Sequence, residues 1–446
     1  MVGVGRGHCF LNGWVRRVQD QGNCACVCTH VVAILQCRQA PGAHKGAFAS
    51  MHQRTPHPFW LAAALCVMTT GVNLQAPLYA AYARADGVGV MATTIAFSFY
   101  VAGVLPVLLA LGGLSDRIGR RRVMLLALAL SATGTLLMLL HPHVATLAVA
   151  RLVLGTGTAL MSATATAYML ELFGSARASR AANWVTASTS IGFGLGPVLT
   201  SLCLMVQDSL TPPSFALHLA AVAVCAALVW RLPETAPRSG PKAPMLRLPY
   251  FTVEGLWFGA AILLCWATTG LVISILPSVL APHGLSRYSG LATMLAISCG
   301  LLFQPMARRQ EPRHAVRIGL MVLVPAYALL AWGAWSGTLV AVLLGALAAS
   351  SACYGFVYLG GLAGTAEAAG DQTTRASAAY FLMAYVGFSL PVIFTGLLAD
   401  RYGTATALLA FGLLLAAGAL TLLSRPVRVV DLSDLPTRPA EALLKR

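Results

Sequence analysis

Apolar runs of about twenty residues alternate with short polar gaps along most of the chain. Twelve can be marked, at 59–82, 90–111, 123–140, 145–169, 182–206, 214–232, 254–280, 288–305, 316–335, 338–362, 376–399 and 404–423, numbered here 1 to 12. A hydrocarbon core of roughly 30 Å takes about 20 helical residues to cross. The runs are rich in Leu, Ala and Val and show no alternation of period two. They therefore predict membrane-crossing helices rather than the strands of a barrel. Composition points the same way: 58% of 446 residues are hydrophobic and only 10% charged. With a mean hydropathy of +0.75, this is more apolar surface than a soluble core can bury.

A net charge of +16 would suit nucleic acid if the basic residues formed one patch on a polar domain. They lie instead in short gaps between apolar runs, so lipid is the expected partner and nucleic acid is not. If the residues before 59 are cytoplasmic, so are the gaps after helices 2, 4, 6, 8 and 10 and the C-terminus. Those regions carry twenty Lys and Arg, against Arg84, Arg287 and Arg401 on the opposite face. The excess predicts a multi-pass protein of the cell inner (plasma) membrane with both termini in the cytoplasm.

The chain also looks doubled. LVLGTGTALMSA (152–163) aligns with VLLGALAASSAC (342–353) about 190 residues on, and GFGLGP (192–197) with GFSLP (387–391) about 195 on. Between the copies lies PETAPRSGPKAPMLRLPY (233–250), whose prolines and basic residues suit a cytoplasmic linker. The expected fold is an all-α membrane protein of twelve transmembrane helices in two pseudo-symmetric six-helix bundles, 58–232 and 253–424. A linker at 233–252 joins them and a cytoplasmic tail, 425–446, follows. Residues 1–57 stand outside this plan and hold Cys9, Cys24, Cys26, Cys28 and Cys37. CACVCTH offers thiolates and His30 to a soft metal, but its spacing is not that of the common zinc modules and a second half-site is missing. The segment reads as a disordered extension, or as the product of a start placed upstream of Met51. The other six cysteines, scattered singly among the helices, read as small packing residues.

Charge is densest in GGLSDRIGRRRVM (112–124), between helices 2 and 3. Gly112, Leu114, Ser115, Asp116, Arg117, Gly119, Arg120 and Arg121 resemble the loop 2–3 signature of the major facilitator superfamily, G-x-L-a-D-R-x-G-R-k-x, with Ser115 at the usual alanine. RLVLGTG, from Arg151 to Gly157, resembles that family's helix-4 motif R-x-x-x-G-x-G. GFGLGPVLT (192–200) resembles its helix-5 motif G-x-x-x-G-P-x-x-G, which is associated with exporters, with Thr200 at the last glycine. The resemblance covers roughly 58–424. It implies a monomeric secondary transporter exporting small organic molecules, as in drug or metabolite efflux, by alternating access with proton antiport. Proton-linked or facilitated uptake of a small polar or anionic solute is the alternative. A Walker-type G-x-x-x-x-G-K-[ST] is absent from the sequence, so ATP is not the direct driver. No catalytic residue, cofactor or metal is expected.

Rocking between two conformations of similar energy needs contacts that break on opening. Asp116, at the end of helix 2, can accept from an arginine and face the positive N-terminal end of a neighbouring helix. The resemblance implies that helix 11, from near Ser377, is that neighbour. Glu171 is placed to complete an Asp116–Arg120–Glu171 charge relay, and Gly112 and Gly119 permit close packing and a tight turn. A plain basic anchor would account for Arg117, Arg120 and Arg121 but not for the aspartate and the glycines. The loop is therefore expected to latch the outward-open state. LLFQPMARRQEPRHAV (301–316), the equivalent loop of the second half, lacks the pattern. GLLADRYG (396–403) echoes it at the outer end of helix 11, where Asp400 and Arg401 are expected to form a local pair.

On helix 5, Trp184, Ser188, Gly192, Gly196 and Thr200 share one face at i+4 spacing. With Pro197 favouring a kink, the hinge candidates Gly192, Gly196 and Pro197 are expected at the interface between halves, ordinary packing within one half being the alternative. Helix 4 aligns Arg151, Gly155, Thr158, Ser162 and Thr166 on a polar stripe that lipid would reject. The resemblance implies that helices 1, 4, 7 and 10 line a central cavity. Asn73, Gln75, Tyr79, Arg151, Trp266, Thr269, Tyr354 and Tyr358 are then the substrate-contact candidates. None of the 14 acidic residues falls in the middle of a predicted helix. Arg151 is thus expected as a cavity charge without a buried protein partner, suited to an anionic or zwitterionic solute. Proton coupling falls to the peripheral acids or to His218, near the outer end of helix 6, since an unperturbed imidazole titrates near physiological pH.

Overall fold

The computed structural model describes residues 57–236, 245–246 and 248–424. The cysteine-rich extension, linker residues 237–244 and 247, and the tail beyond 424 lie outside the described residues. Twelve apolar helical segments follow one another among those described. They are α1 (His57–Asp86), α2 (Val90–Ala110), α3 (Arg120–Leu140), α4 (Val144–Phe173), α5 (Ala178–Val206) and α6 (Ser214–Trp230) in the first part. The second part comprises α7 (Val253–Ser274, continued by Leu276–Leu280), α8 (Ser286–Ala307), α9 (Pro312–Ser336), α10 (339–369), α11 (Thr373–Tyr402) and α12 (Thr404–Ser424). A turn at Gly370, whose φ of 52° favours a residue without a side chain, separates α10 from α11.

Each apolar run of the sequence coincides with one helix, and the differences lie at the ends. α4 runs to Phe173 rather than 169, α9 starts at Pro312 rather than 316, and α11 spans Thr373–Tyr402 rather than 376–399. Helical hydrogen bonding continues past the apolar core, because polar side chains at the ends can reach water. In lipid every backbone group must be satisfied internally, and a helix does this within one segment. Large side chains then face outward without penalty: Leu409, Leu413, Leu414 and Leu420 of α12 are 63 to 70% exposed.

α1–α6 pack on one another, chiefly α2 and α3 on α4 and α1 on α5, and α7–α12 do likewise, led by α7 on α11 and α9 on α10. The sequence repeats fall on helices of equal rank, α4 with α10 and α5 with α11. α1 and α7 are the most enclosed spans and α12 is the least, so the bundle is built around the first helix of each half.

The two halves meet along α2–α11 and α5–α8. Hydrogen bonds join them at mid-depth and at the end away from the 112–124 loop, called here the far end. The Ser298 hydroxyl donates to the Ser190 carbonyl at 2.6 Å, and the Gly290 N–H donates to Ser201 Oγ at 3.1 Å. Gly194 and Gly290 leave no room for a Cβ between α5 and α8, the close approach that small residues allow. The helix-5 face expected at this interface packs elsewhere. Gly192 and Gly196 lie against the Cys66 and Thr70 carbonyls of α1, and Thr200 donates to the Leu74 carbonyl at 2.7 Å. Gly192 and Gly196 thus belong to packing within one half, and Gly194, Pro197 and Ser201 make the contact with the other. α5 continues as a helix through Pro197.

Candidate functional site

At the basic end, Gly119 takes a φ of 105° between the short helix Leu114–Ile118 and α3. This turn brings Asp116 back onto Arg120 at 2.5 Å, and the same guanidinium meets Glu171 of α4 at 3.0 Å. Ser115 accepts from it as well, at 2.5 Å, a bond that alanine could not make. Arg120 is buried, and two carboxylates with charge-assisted bonds offset the cost of burying it. Arg117 is exposed and Gly112 half-buried.

Glu234, four residues past α6, accepts from the backbone N–H of Arg120 at 2.8 Å and of Arg121 at 3.3 Å. It supplies the cap that Gly119, without a side chain, cannot give α3. Arg121 reaches back to the Trp230 carbonyl at 3.2 Å and lies 5.4 Å over the Trp230 ring, and the Thr235 hydroxyl donates to Glu171. The start of the linker thus clamps the loop. Sequence reasoning missed Glu234, whose one signal is a carboxylate just after a helix in a chain poor in acids.

At the far end, Asp400 of α11 accepts from the backbone N–H of Val90 at 2.7 Å and of Met91 at 2.9 Å. The cap position of α2 is Gly89, and a Cβ there would strike the Asp400 carboxylate. This corrects the expected local pair with Arg401, which is exposed. The first N–H groups of α2 are unpaired donors at the positive end of a helix, and the carboxylate turns to them across the boundary between halves. Asp86 makes the same kind of cap inside one half, accepting from the Val144 N–H at 2.6 Å.

α1 breaks after Asn73 and resumes at Tyr79 beyond a short 3-10 turn, Ala76–Leu78. Beside the break, Arg151 Nη1 donates to the Val72 carbonyl at 2.6 Å. Its guanidinium lies 4.7 Å from the Phe97 ring and 4.8 Å from the Tyr100 ring. The expectation of a cavity cation without protein partners is therefore corrected. Arg151 is fully buried, and its charge meets the Val72 and Phe97 carbonyls, the Asn73 amide oxygen and two aromatic faces rather than a carboxylate. Its Nη2, the Tyr79 hydroxyl and both ends of the Gln75 amide have no hydrogen-bond partner among the described residues. The Thr269 hydroxyl donates to its own helix at Cys265, 3.2 Å away.

Between the halves lies a cavity of ≈ 810 Å³, counting its open mouth. Of the expected contact residues, Asn73, Trp266, Tyr354 and Tyr358 line it, while Gln75, Tyr79, Arg151 and Thr269 are not in the lining. α10 widens to a π-helical turn over Ser351–Val357, which carries Tyr354 and ends just before Tyr358; such turns recur at functional sites. Tyr100 of α2 and Tyr385 and Phe388 of α11 also face the space, on helices that the expected cavity left out. Trp266 stands edge-on to Tyr385 at 5.1 Å and to Phe388 at 5.7 Å. Among the described residues no charged side chain lines the cavity.

His218 lies on the other side of α1, where Gly71 leaves room for its ring. A carbonyl only accepts, so Nε2, 3.1 Å from the Val67 oxygen, carries the hydrogen. In the neutral ring Nδ1 then accepts from the Thr135 hydroxyl at 3.0 Å.

A family model described as Major Facilitator Superfamily matches residues 61–392. Solved structures share the fold at low sequence identity. A point mutant of the nucleoside transporter NupG superposes with a TM-score of 0.68 at 13% identity, over 82% of this chain and 99% of that one. A bacterial homolog of the human lysosomal transporter Spinster, inward-facing and occupied, gives 0.64 at 12%, over 83% and 97%. A D-xylose-proton symporter gives 0.59 at 16%, over 82% and 97%.

Proposed function

The chain belongs to the major facilitator superfamily and is a multi-pass secondary transporter, not an enzyme; from that premise we propose that it exports small organic molecules in exchange for protons by alternating access. The observation that carries this reading is the cavity itself, set between two halves that hydrogen bonds join at mid-depth and the far end. The excess of basic residues assigns the 112–124 end to the cytoplasm of the inner membrane. On that assignment the far-end hydrogen bonds hold the outer side together, and in this reading a cytosolic solute enters the cavity from within. The helix-5 motif favours export as the direction.

In this reading the Asp116–Arg120–Glu171 relay, clamped by Glu234, keeps the loop rigid. Asp116 is then poised to face the start of α11 when the cytoplasmic end closes. His218 is the proton carrier. A second proton on its ring would turn Nδ1 into a donor toward Thr135 and force that hydroxyl to rotate, directly behind the stretch of α1 that carries Val72 and Asn73 to the cavity.

Everted membrane vesicles with an acid interior, supplied with an extract of cytosolic metabolites, test the coupling. Loading of the exported solute is expected to collapse when the pH gradient is dissipated. His218→Gln is expected to keep equilibrating the solute while losing its response to the gradient. Loading indifferent to the gradient in the parent protein would overturn proton exchange. An unchanged gradient response in His218→Gln would remove this residue from the coupling.

A further inference from the structure

We propose that the cavity takes an uncharged, planar aromatic solute, with a hydrogen-bond acceptor toward Trp266 and a donor toward Thr158 and Thr189. The inference rests on the reading of the cavity as the transport site and adds the class of compound that fits it.

Three observations carry it. The first is the chemistry of the walls. Trp266, Tyr354, Tyr358, Tyr385 and Phe388 form one aromatic side, and Tyr100 with Phe193 stands on the side of the other half. Flat rings set edge-on to one another offer faces and edges to an inserted ring.

The second is charge. Arg151, the fixed cation behind this wall, is outside the lining; it donates to the Val72 and Phe97 carbonyls and to Asn73 Oδ1 and lies against the Phe97 and Tyr100 rings, with Nη2 alone unpartnered among the described residues. An ionised solute among these walls would lose its water and meet no charged side chain in the lining, whereas a neutral one loses little.

The third is the direction of the hydrogen bonds. The indole N–H of Trp266 is buried and has no partner among the described residues. A buried donor left unsatisfied is costly, and a carbonyl or ring nitrogen of a solute would satisfy it. On the opposite side, the Thr158 hydroxyl donates to the Leu154 carbonyl at 2.6 Å and the Thr189 hydroxyl to the Val185 carbonyl at 2.8 Å. Their hydrogens are committed to their own helices, so toward the cavity these oxygens only accept, Thr158 beside the Tyr100 side chain that is also its hydrogen-bond neighbour. A solute bridging the halves therefore needs an acceptor at one edge and an N–H or O–H at the other.

A matched set of coumarins tests this on the purified full-length protein by equilibrium dialysis in detergent. The neutral probe is 7-amino-4-methylcoumarin, with a lactone carbonyl at one end and an amine at the other. Its 3-acetic acid adds a carboxylate, and 7-dimethylamino-4-methylcoumarin removes the N–H donors. The neutral amine is expected to bind saturably, and the acid to bind weaker by about tenfold or more. Trp266→Phe, which keeps a ring and deletes the N–H, is expected to weaken the neutral amine by about tenfold. The pair Thr158→Val with Thr189→Val should weaken the amine and leave the dimethylamino compound unchanged. This second arm holds even if the Trp266 variant fails to fold. Saturable binding of the acid equal to that of the neutral amine, no saturable binding of the amine, or indifference to both sets of substitutions would overturn the proposal. Binding does not depend on transport. A protein that binds the amine but moves no solute in vesicles removes the exporter reading alone, and one that exports while preferring the acid removes this inference alone.

Discussion

Asp400→Asn is expected to open the far end of the bundle. The Asp400 carboxylate accepts from two backbone N–H groups of α2, and it does so only while the two halves are together. When they part, water takes over the N–H groups, so the charge-assisted bonds weigh on one conformer alone. Asparagine keeps a single neutral acceptor. A loss of about 1–3 kcal/mol is expected, which moves the ratio of conformers by about fivefold to a hundredfold. Spin labels at the exposed positions Val88 and Tyr402, in a background without other reactive cysteines, read the separation of the halves at this end. The variant should gain a long-distance population, and Gly89→Ala, which pushes the carboxylate away, should act in the same direction. Asp86→Asn is the control, because its cap on α4 lies within one half. A distance distribution for Asp400→Asn identical to the parent would contradict the cap.

Asp116→Asn is expected to insert normally and to transport at one tenth of the parental rate or less, equivalent to about 1.4 kcal/mol or more lost from one conformer. Arg120 would still hold Glu171 at 3.0 Å and Ser115 at 2.5 Å, so the loop keeps its shape. What goes, on the proposed latch, is the negative charge offered to the start of α11 when the end that carries the 112–124 loop closes. The two substitutions therefore push the equilibrium in opposite directions, Asp400→Asn away from the described conformation and Asp116→Asn toward it. Transport per inserted protein in vesicles checks this, and a near-parental rate would remove the latch.

The helices were legible because lipid imposes one rule on every span: an apolar run of fixed length. Helix ends were less so, since helical bonding runs on where polarity begins, as at Phe173 and Pro312. The Arg120 relay could be read from charges packed into a short loop. Asp400 could not, because its neighbour Arg401 offered a simple local partner and nothing in the sequence brings Gly89 beside it. Arg151 was misplaced for a related reason. Sequence counts carboxylates, but the groups that meet this cation are two backbone carbonyls, an amide oxygen and two rings. The aromatic wall from α11 escaped as well, since Tyr385 and Phe388 on an apolar helix look like any lipid-facing pair. Gly192 and Gly196 signal a close helix approach, while its partner, α1 of the same half rather than a helix of the other half, depends on which way the face turns.

Export of a small organic molecule is the central claim, and comparison of metabolites inside and outside cells tests it most directly. Cells producing the parent protein would be set against cells producing Asp116→Asn at matched membrane levels. The account predicts at least one compound that falls inside the cells and rises in the medium with the parent protein alone. A compound that moves the opposite way, depleted from the medium and enriched in the cells, would contradict it.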